Sequence, residues 1–576
     1  MKNNFKFLVL TTLPFFWLVL CCDSKWLEED FRGDLDEDIL ATEKGIDGLL
    51  IGAYSMIDGT NPSYGWESAA SNWHYGSIRG MEANKGSSAN EQPDINPLQT
   101  FSETSDNPYL YVKWREVYTA VDRCNSAVVV TRLALEKGTI TKEQSDIFLR
   151  QARVLRGWYQ FEAWRMWSMI PYVDEKTDYK KVTNTEDVRS QILADLEQGT
   201  GLPGNMGAIG RFNRTVSEVL LAKALMQMHH DYKGALSLLQ DVKNTGVKPD
   251  GKPIGLAPSY GEIFDTEYRN GIESVYTLQY SVKDASGAWN GGWGELLNFP
   301  VKGGGSPGGC CGFFQPSQEL VNSFRTTNDG LPVMDHLYNE NPVKNDQGLT
   351  PNQPFTPDAG NLDPRLDWTV GRRGIPYWDW GKHTGSDWVR DQTYGGPYSP
   401  KKQVYKKSQE GIYTEIGNYY SFWTANGYRM IRYSDVLLLL AECQIETGDL
   451  AGALTNINAV RARAANPDGF VKEADGKTPA ANYNIGLYPS FPDAEYARKA
   501  LRMERKLELG MEGHRWFDLN RWGITVAELN RILAYEKTTP WGPNMYGNAT
   551  VGPEDVTYPI PQRQIDLSNG RLMQNR

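Results

Sequence analysis

Cysteine and histidine are both scarce, six of each in 576 residues. Six cysteines do not make a disulfide framework in so long a chain. Cys124 and Cys443 fall in helical patterns and read as small buried apolar residues. The adjacent Cys310 and Cys311 are either a vicinal disulfide or two free thiols. His229 and His230 are neighbours, so they do not share a helix face, and no Cys/His spacing suits a metal. HExxH, GxSxG and a phosphate-binding loop are missing. No strand–helix alternation suggests a barrel with catalytic carboxylates at its strand ends. Basic charge is in deficit: 60 Lys and Arg face 71 Asp and Glu, a net charge of −11. That argues against nucleic acid, which requires a cationic footprint. No catalytic residue, cofactor or metal is therefore expected.

What is abundant is aromatic: 12% of the chain, with 18 Trp and 30 Tyr. A core alone does not require so many. Apolar content of 40% with 23% charged residues describes a soluble globular body, and the length calls for two or more lobes. Residues 1–21 read as a signal peptide. Lys2 and Lys6 form its charged start, and the apolar stretch 7–20 is too short for a spanning helix. Val19-Leu20-Cys21-Cys22 looks like a lipoprotein cleavage box. Cutting before Cys22 leaves small Cys21 at the preceding position, so Cys22 is expected to carry the lipid. Residues 22–42 then form a tether with an acidic run, Glu28-Glu29-Asp30.

Helical periodicity begins at residues 43–57, with Ile46, Leu49, Leu50 and Tyr54 on one face. It lapses over about 58–110, which is rich in Gly, Ser, Asn and Pro and carries Trp66, Trp73 and Tyr75. An irregular stretch of that length inside a compact domain is functional or disordered, and so many aromatics argue against disorder. Helices resume at 111–132 and 142–167, and a hairpin follows at 215–243, with Thr215 able to cap it. From 251 to 427 Gly, Pro, Asn and aromatics dominate, broken by short strand-like runs such as 274–280. This segment holds GAWNGGWGELLNFP and IPYWDWGKHTGSDW.

Residues 428–523 are the most specific. YRMIRYSDVLLLLAECQIETGDLAGALTNINAVRARA is a helical hairpin in which Gly448 suits the position after a helix end and Asp449 can cap the next helix. It is the grammar of a tetratricopeptide-like pair. In LRMERKLELGMEGHRWFDLNRWG, Met503, Leu507 and Met511 recur every fourth residue, as do Glu504, Glu508 and Glu512. Like charges at that spacing repel. Arg505, Arg515 and Arg521 stand close enough in sequence to answer the acids at spacings of three, namely Arg505 to Glu508, Glu512 to Arg515 and Asp518 to Arg521.

Three signatures within these segments, YRMIRYSDVLLLLAEC, ALTNINAVRARA and ERKLELGMEGHRWFDLNRWG, in this order, closely resemble the carboxyl-terminal signature of the RagB/SusD family, outer-membrane nutrient-binding lipoproteins of Bacteroidetes. QPSQELVNSF (315–324), Asp363-Pro364-Arg365-Leu366 and Tyr558-Pro559-Ile560-Pro561 resemble further landmarks of that family. The resemblance implies a mainly α fold: a scaffold of tetratricopeptide-like hairpins with a large loop-rich insertion containing short strands. On this division 43–250 is an amino-terminal helical region, 251–427 the insertion and 428–576 the carboxyl-terminal region. It implies a lipid-anchored, outward-facing outer-membrane protein with a SusC-like TonB-dependent transporter as partner. Its ligand contacts are expected in loops, one set early and one in the insertion.

Sugar rings present flat C–H faces edged with hydroxyls, which indole and phenol rings stack upon while Asn, Asp, Arg and Gln take the hydroxyls. Trp66, Trp73, Tyr75, Trp289, Trp293, Trp378, Trp380 and Trp388 have that loop context, with Arg79, Asn84, Asn90 and Asn290 as nearby polar candidates. Two alternatives stay open. One is a binder of peptides or another non-sugar nutrient. The other is a secreted glycoside hydrolase, which needs two carboxylates at a set separation.

Overall fold

The computed structural model describes residues 37–59, 65–301, 305–416 and 422–576. Cys22, the signal peptide and the acidic run of the tether lie outside the described residues. Six helices make the amino-terminal scaffold: α1 (Glu43–Tyr54), α2 (Pro108–Glu136), α3 (Lys142–Trp167), α4 (Arg189–Gln198), α5 (Arg214–His229) and α6 (Tyr232–Thr245). Helix α2 lies along α3, α3 against α4 and α5 against α6. Local chemistry sets their starts. Thr141 and Gln144 form a reciprocal capping box at α3. The cap of α5 is Asn213, whose Oδ1 accepts from Val216 N at 2.9 Å. Thr215, the residue expected to cap, instead accepts from Val247 N across the hairpin. Asp231 caps α6 immediately after His230 takes a left-handed conformation.

A single turn, α7 (Gln318–Ser323), precedes the carboxyl-terminal helices α8 (Tyr433–Thr447), α9 (Leu450–Ala464), α10 (Ala494–Leu509), α11 (Arg515–Arg521) and α12 (Thr525–Glu536). Gly448 ends α8 at φ 91°, where a side chain would be strained. Asp449 caps α9 through Gly452 N. Helix α8 is flanked by α6, α9 and α10, and Leu438, Ala441, Ala453, Ile457, Ala497 and Leu501 fill that junction. Among the described residues no helix is long and apolar enough to cross a membrane.

Strands are short and come in antiparallel pairs. β1 (Ala83–Gly86) pairs with β3 (Phe313–Pro316), and β2 (Ser274–Thr277) with β8 (Arg429–Arg432). β4 (Val370–Gly371) pairs with β5 (Ser399–Pro400), and β6 (Thr414–Ile416) with β7 (Phe422–Thr424). The first pair has a consequence for the early irregular stretch. With Asn84 opposite Gln315, that stretch runs through the middle of the molecule, and Trp73–Ile78 forms a buried π-helical turn. Cys310 and Cys311 are bonded to each other. Cys124 and Cys443 are free and buried, as their patterns indicate.

The acidic column of α10 lies at the centre of the carboxyl-terminal region, and all three glutamates are buried. Their cations come from far along the chain. Glu504 is held by Arg365 at 2.6 Å and Arg461 at 2.9 Å. Glu508 is held by Arg365, Arg432 and Arg463. Glu512 meets Lys402 at 2.7 Å and Arg432 at 2.8 Å. Of the local pairs expected from spacing, Asp518–Arg521 forms. Arg505 instead binds Asp435 and Asp518, and Arg515 binds Glu528. Helix α10 also stops at Leu509, so Met511 and Glu512 stand beyond it, Met511 at φ 68°. That break turns Glu512 toward Lys402 and Arg432. Burial alone would push the Glu508 carboxyl up, but Arg463, Arg432 and Arg365 outweigh it and hold it below the ordinary range.

Candidate functional site

A cavity of about 540 Å³ opens between α1 and the loop after β2. That volume lies within the roughly 300–1,000 Å³ usual for small-ligand sites. One wall is aromatic. Gly287–Gly292 is a tight glycine-rich turn that leaves Trp289 47% exposed, while Trp293 is buried to 8%. The two indoles meet edge to face at 6.2 Å, and both lean on buried Trp423, at 6.3 and 5.3 Å. Gly65 lies flat beneath Trp293: a Cβ there would come within 2.6 Å of the indole. Asn290 stands beside Trp289, its amide donating to Asp284.

The floor is polar. The Tyr280 hydroxyl donates to Asp58 Oδ2 at 2.8 Å, and Ala70 N donates to Asp58 Oδ1 at 2.9 Å. Burial pushes the Asp58 carboxyl up, against those two donors. Glu295 is also raised by burial and then by the charge of Asp58. The lining also carries two guanidiniums. Arg123, on α2, donates to Gly52 O at 2.8 Å. Arg211, before α5, reaches Asp47 at 2.6 Å and lies over the Tyr54 ring.

Of the residues singled out from sequence, the structure brings Trp289, Trp293 and Asn290 together at this cavity. The early set does not join them. Trp73 is buried, and its Nε1 donates to Gly294 O at 2.8 Å. It braces the backbone next to Trp293 from behind and offers no face to solvent. The Tyr75 hydroxyl is enclosed against the carbonyls of Glu67 and Tyr109. Arg79 is fully buried, ion-paired to Glu103 at 2.7 Å and sandwiched between Phe101 and Tyr558. Asn84 is spent within β1, donating to Gly395 O and accepting from Gly86 N. These four are corrected to structural residues, for one reason: the β1–β3 pairing draws their segment into the core.

Trp66 is half-buried against the main core. Trp378 and Trp380 are half-buried on the packing of the insertion, their indole nitrogens directed to Lys401 O and Tyr405 O. Trp388 is buried there too, and Asn90 is exposed away from the cavity. Arg123, Arg211, Tyr280, Gln279 and Asp58 were missed. Two of them lie on or beside scaffold helices, and nothing in their local pattern separates them from ordinary helix-surface residues.

The chain is thus a mainly helical protein, a scaffold of hairpins beside which loops build an aromatic cavity. Residues 272–576 match the model of the SusD family. The chain belongs to the SusD family. It is 22% identical to SusD-like protein P25 of Formosa agariphila, over 96% of each chain. Its fold is that of surface glycan-binding protein A from Bacteroides thetaiotaomicron, solved with laminarihexaose. The TM-score is 0.65 at 20% identity, over 93% of this chain and 99% of that one. The Bacteroides fluxus protein of the same name aligns at TM-score 0.66 and 19% identity, with the same coverage.

Proposed function

We propose that this protein is a non-catalytic, outward-facing outer-membrane lipoprotein. Anchored through Cys22, it captures an oligo- or polysaccharide and delivers it to a SusC-like TonB-dependent transporter. The observation that carries the reading is the Trp289–Trp293 pair at the mouth of the cavity. An exposed indole backed by two others is a rigid platform for the C–H face of a sugar ring, at little cost in side-chain order. Asn290, Gln279 and the Tyr280 hydroxyl stand round it as partners for ring hydroxyls. The non-catalytic half is supported by the carboxylate count: Asp58 is the single acid among the described lining residues, and Tyr280 and Ala70 N already hold it. The neighbouring carboxylate, Glu295, does not line the cavity, so the two acids do not flank a bound sugar as glycoside hydrolysis requires. Membership of the SusD family supports the lipid anchor and the transporter partner.

Affinity electrophoresis of the mature protein through gels cast with single polysaccharides tests the capture step. At least one glycan should retard wild type and leave Trp289→Ala running free. Retardation by none, with a peptide mixture bound at the same cavity, would replace the sugar by a peptide. Cys22→Ser should release the protein from the outer-membrane fraction and abolish its co-purification with the transporter.

A further inference from the structure

The cation wall of the cavity is unusual in a chain of net charge −11. Arg123 makes hydrogen bonds to Gly52 O and Ser55 Oγ only, and no carboxylate lies within salt-bridge distance among the described residues. Its sequence neighbour Asp122 accepts from the Tyr179 hydroxyl instead. Arg211 has one carboxylate, Asp47, on Nη2, and Nη1 has no hydrogen-bond partner. Elsewhere in the molecule single arginines are held by several acids: Arg365 by Asp363, Glu504 and Glu508, and Arg432 by Glu273, Glu508 and Glu512. The one acid among the described residues lining the cavity, Asp58, is buried and already takes the Tyr280 hydroxyl and Ala70 N. The cavity therefore sets an indole platform beside two guanidiniums, Arg123 with no carboxylate partner among the described residues and Arg211 with a single one.

Resting on the reading of the cavity as a sugar site, we infer that its ligand is an acidic glycan. The sugar ring lies on Trp289, and its anionic substituent, a carboxylate or a sulfate ester, meets Arg123 and Arg211. A guanidinium presents a planar fork of donors that matches either anion with two parallel hydrogen bonds. A neutral hydroxyl returns much less for bringing ligand against an uncompensated cation. Such a wall also draws acidic oligomers toward a protein whose overall charge repels them.

The test is calorimetric titration of the mature protein with three hexasaccharide probes: an oligogalacturonate, a sulfated galactan fragment and neutral laminarihexaose. At about 50 mM salt one acidic probe should bind at least about tenfold more tightly than laminarihexaose, and the gap should close at about 500 mM as screening lengths shrink. Which acidic probe binds distinguishes carboxylate from sulfate. Arg123→Gln should cost that probe about tenfold and laminarihexaose nothing, while Arg123→Lys restores part of the loss. Laminarihexaose binding as tightly as either acidic probe, with Arg123→Gln silent, overturns the acidic ligand but leaves the sugar site standing. No binding of any of the three overturns both. The salt response of wild type decides the matter even where a variant folds poorly.

Discussion

Arg365 Nη1 lies 2.6 Å from Glu504 Oε1, although 139 residues separate them in the chain. The contact ties the Asp-Pro-Arg-Leu corner of the insertion to α10. The same guanidinium reaches Asp363 and Glu508, and all four side chains are fully buried. Arg365→Gln leaves three carboxylates facing each other without their shared cation. Removing one partner of a buried ion pair costs about 3–5 kcal/mol, and urea unfolding should show at least that. Ligand affinity per folded molecule should be unchanged. A loss under about 1 kcal/mol would mean that the network tolerates the vacancy and does not lock insertion to scaffold.

Trp73 and Trp289 should behave as opposites. Truncating the buried indole, Trp73→Ala, removes its packing and its bond to Gly294, and large aromatic deletions cost about 3–5 kcal/mol. Trp289→Ala removes a ring that is already 47% exposed, so melting should shift little while glycan binding is lost. Thermal melting beside affinity electrophoresis separates them. A stable Trp73→Ala that no longer binds would return Trp73 to the ligand surface.

The contrast explains what was legible in the sequence. Some helix boundaries were, because caps and stops are local: Gly448, Asp449 and the 142–167 helix stand where their residues place them, whereas Asn213 and not Thr215 caps α5 and α10 stops short of Met511. The ion-pair character of α10 was legible too, since a column of glutamates beside apolar residues needs cations. Which cations was not. Arg365, Arg432, Arg461 and Arg463 arrive from other segments, and spacing carries no information about them. The site divided for the same reason. The glycine-rich turn of Trp289 and Trp293 exposes its indole by its own geometry. The exposure of Trp73, Tyr75, Arg79 and Asn84 is decided by a strand partner more than two hundred residues away.

Glu536 should make stability depend on pH. Its carboxyl is fully buried and accepts from Glu319 N at 2.7 Å, and burial pushes its pKa up to about 8. The unfolded chain releases this proton near the ordinary value of about 4.3, so the folded state holds it more tightly between the two. The contribution is therefore full below about pH 4 and is lost as pH rises toward 8. Glu536→Gln, which keeps the accepting oxygen and cannot ionise, should match wild type near pH 4.5. At pH 8.5 it should exceed wild type on the order of 1–3 kcal/mol. Denaturant unfolding of both proteins across that range checks it. A difference that does not change with pH would place the proton elsewhere.

Gly65 offers a test of the aromatic platform in which no ligand-facing residue is itself substituted. Its φ is not in the left-handed region, so alanine meets no backbone obstacle there. The obstacle is Trp293, whose Cε3 and Cδ2 would stand 2.6 and 2.9 Å from the new methyl group. Trp293 cannot retreat freely, because Trp423 lies against it at 5.3 Å and Trp289 at 6.2 Å. The three rings must shift together, carrying the exposed face of Trp289 off its setting over the cavity. Gly65→Ala should therefore weaken glycan binding about tenfold, close to 1.4 kcal/mol. It should also change the near-ultraviolet signal of the packed indoles. Because both substitutions act through one ring system, combining Gly65→Ala with Trp293→Phe should cost less than the sum of the two. Strict additivity, or a spectral change with affinity intact, would detach Trp293 from the binding surface and leave Trp289 to act alone.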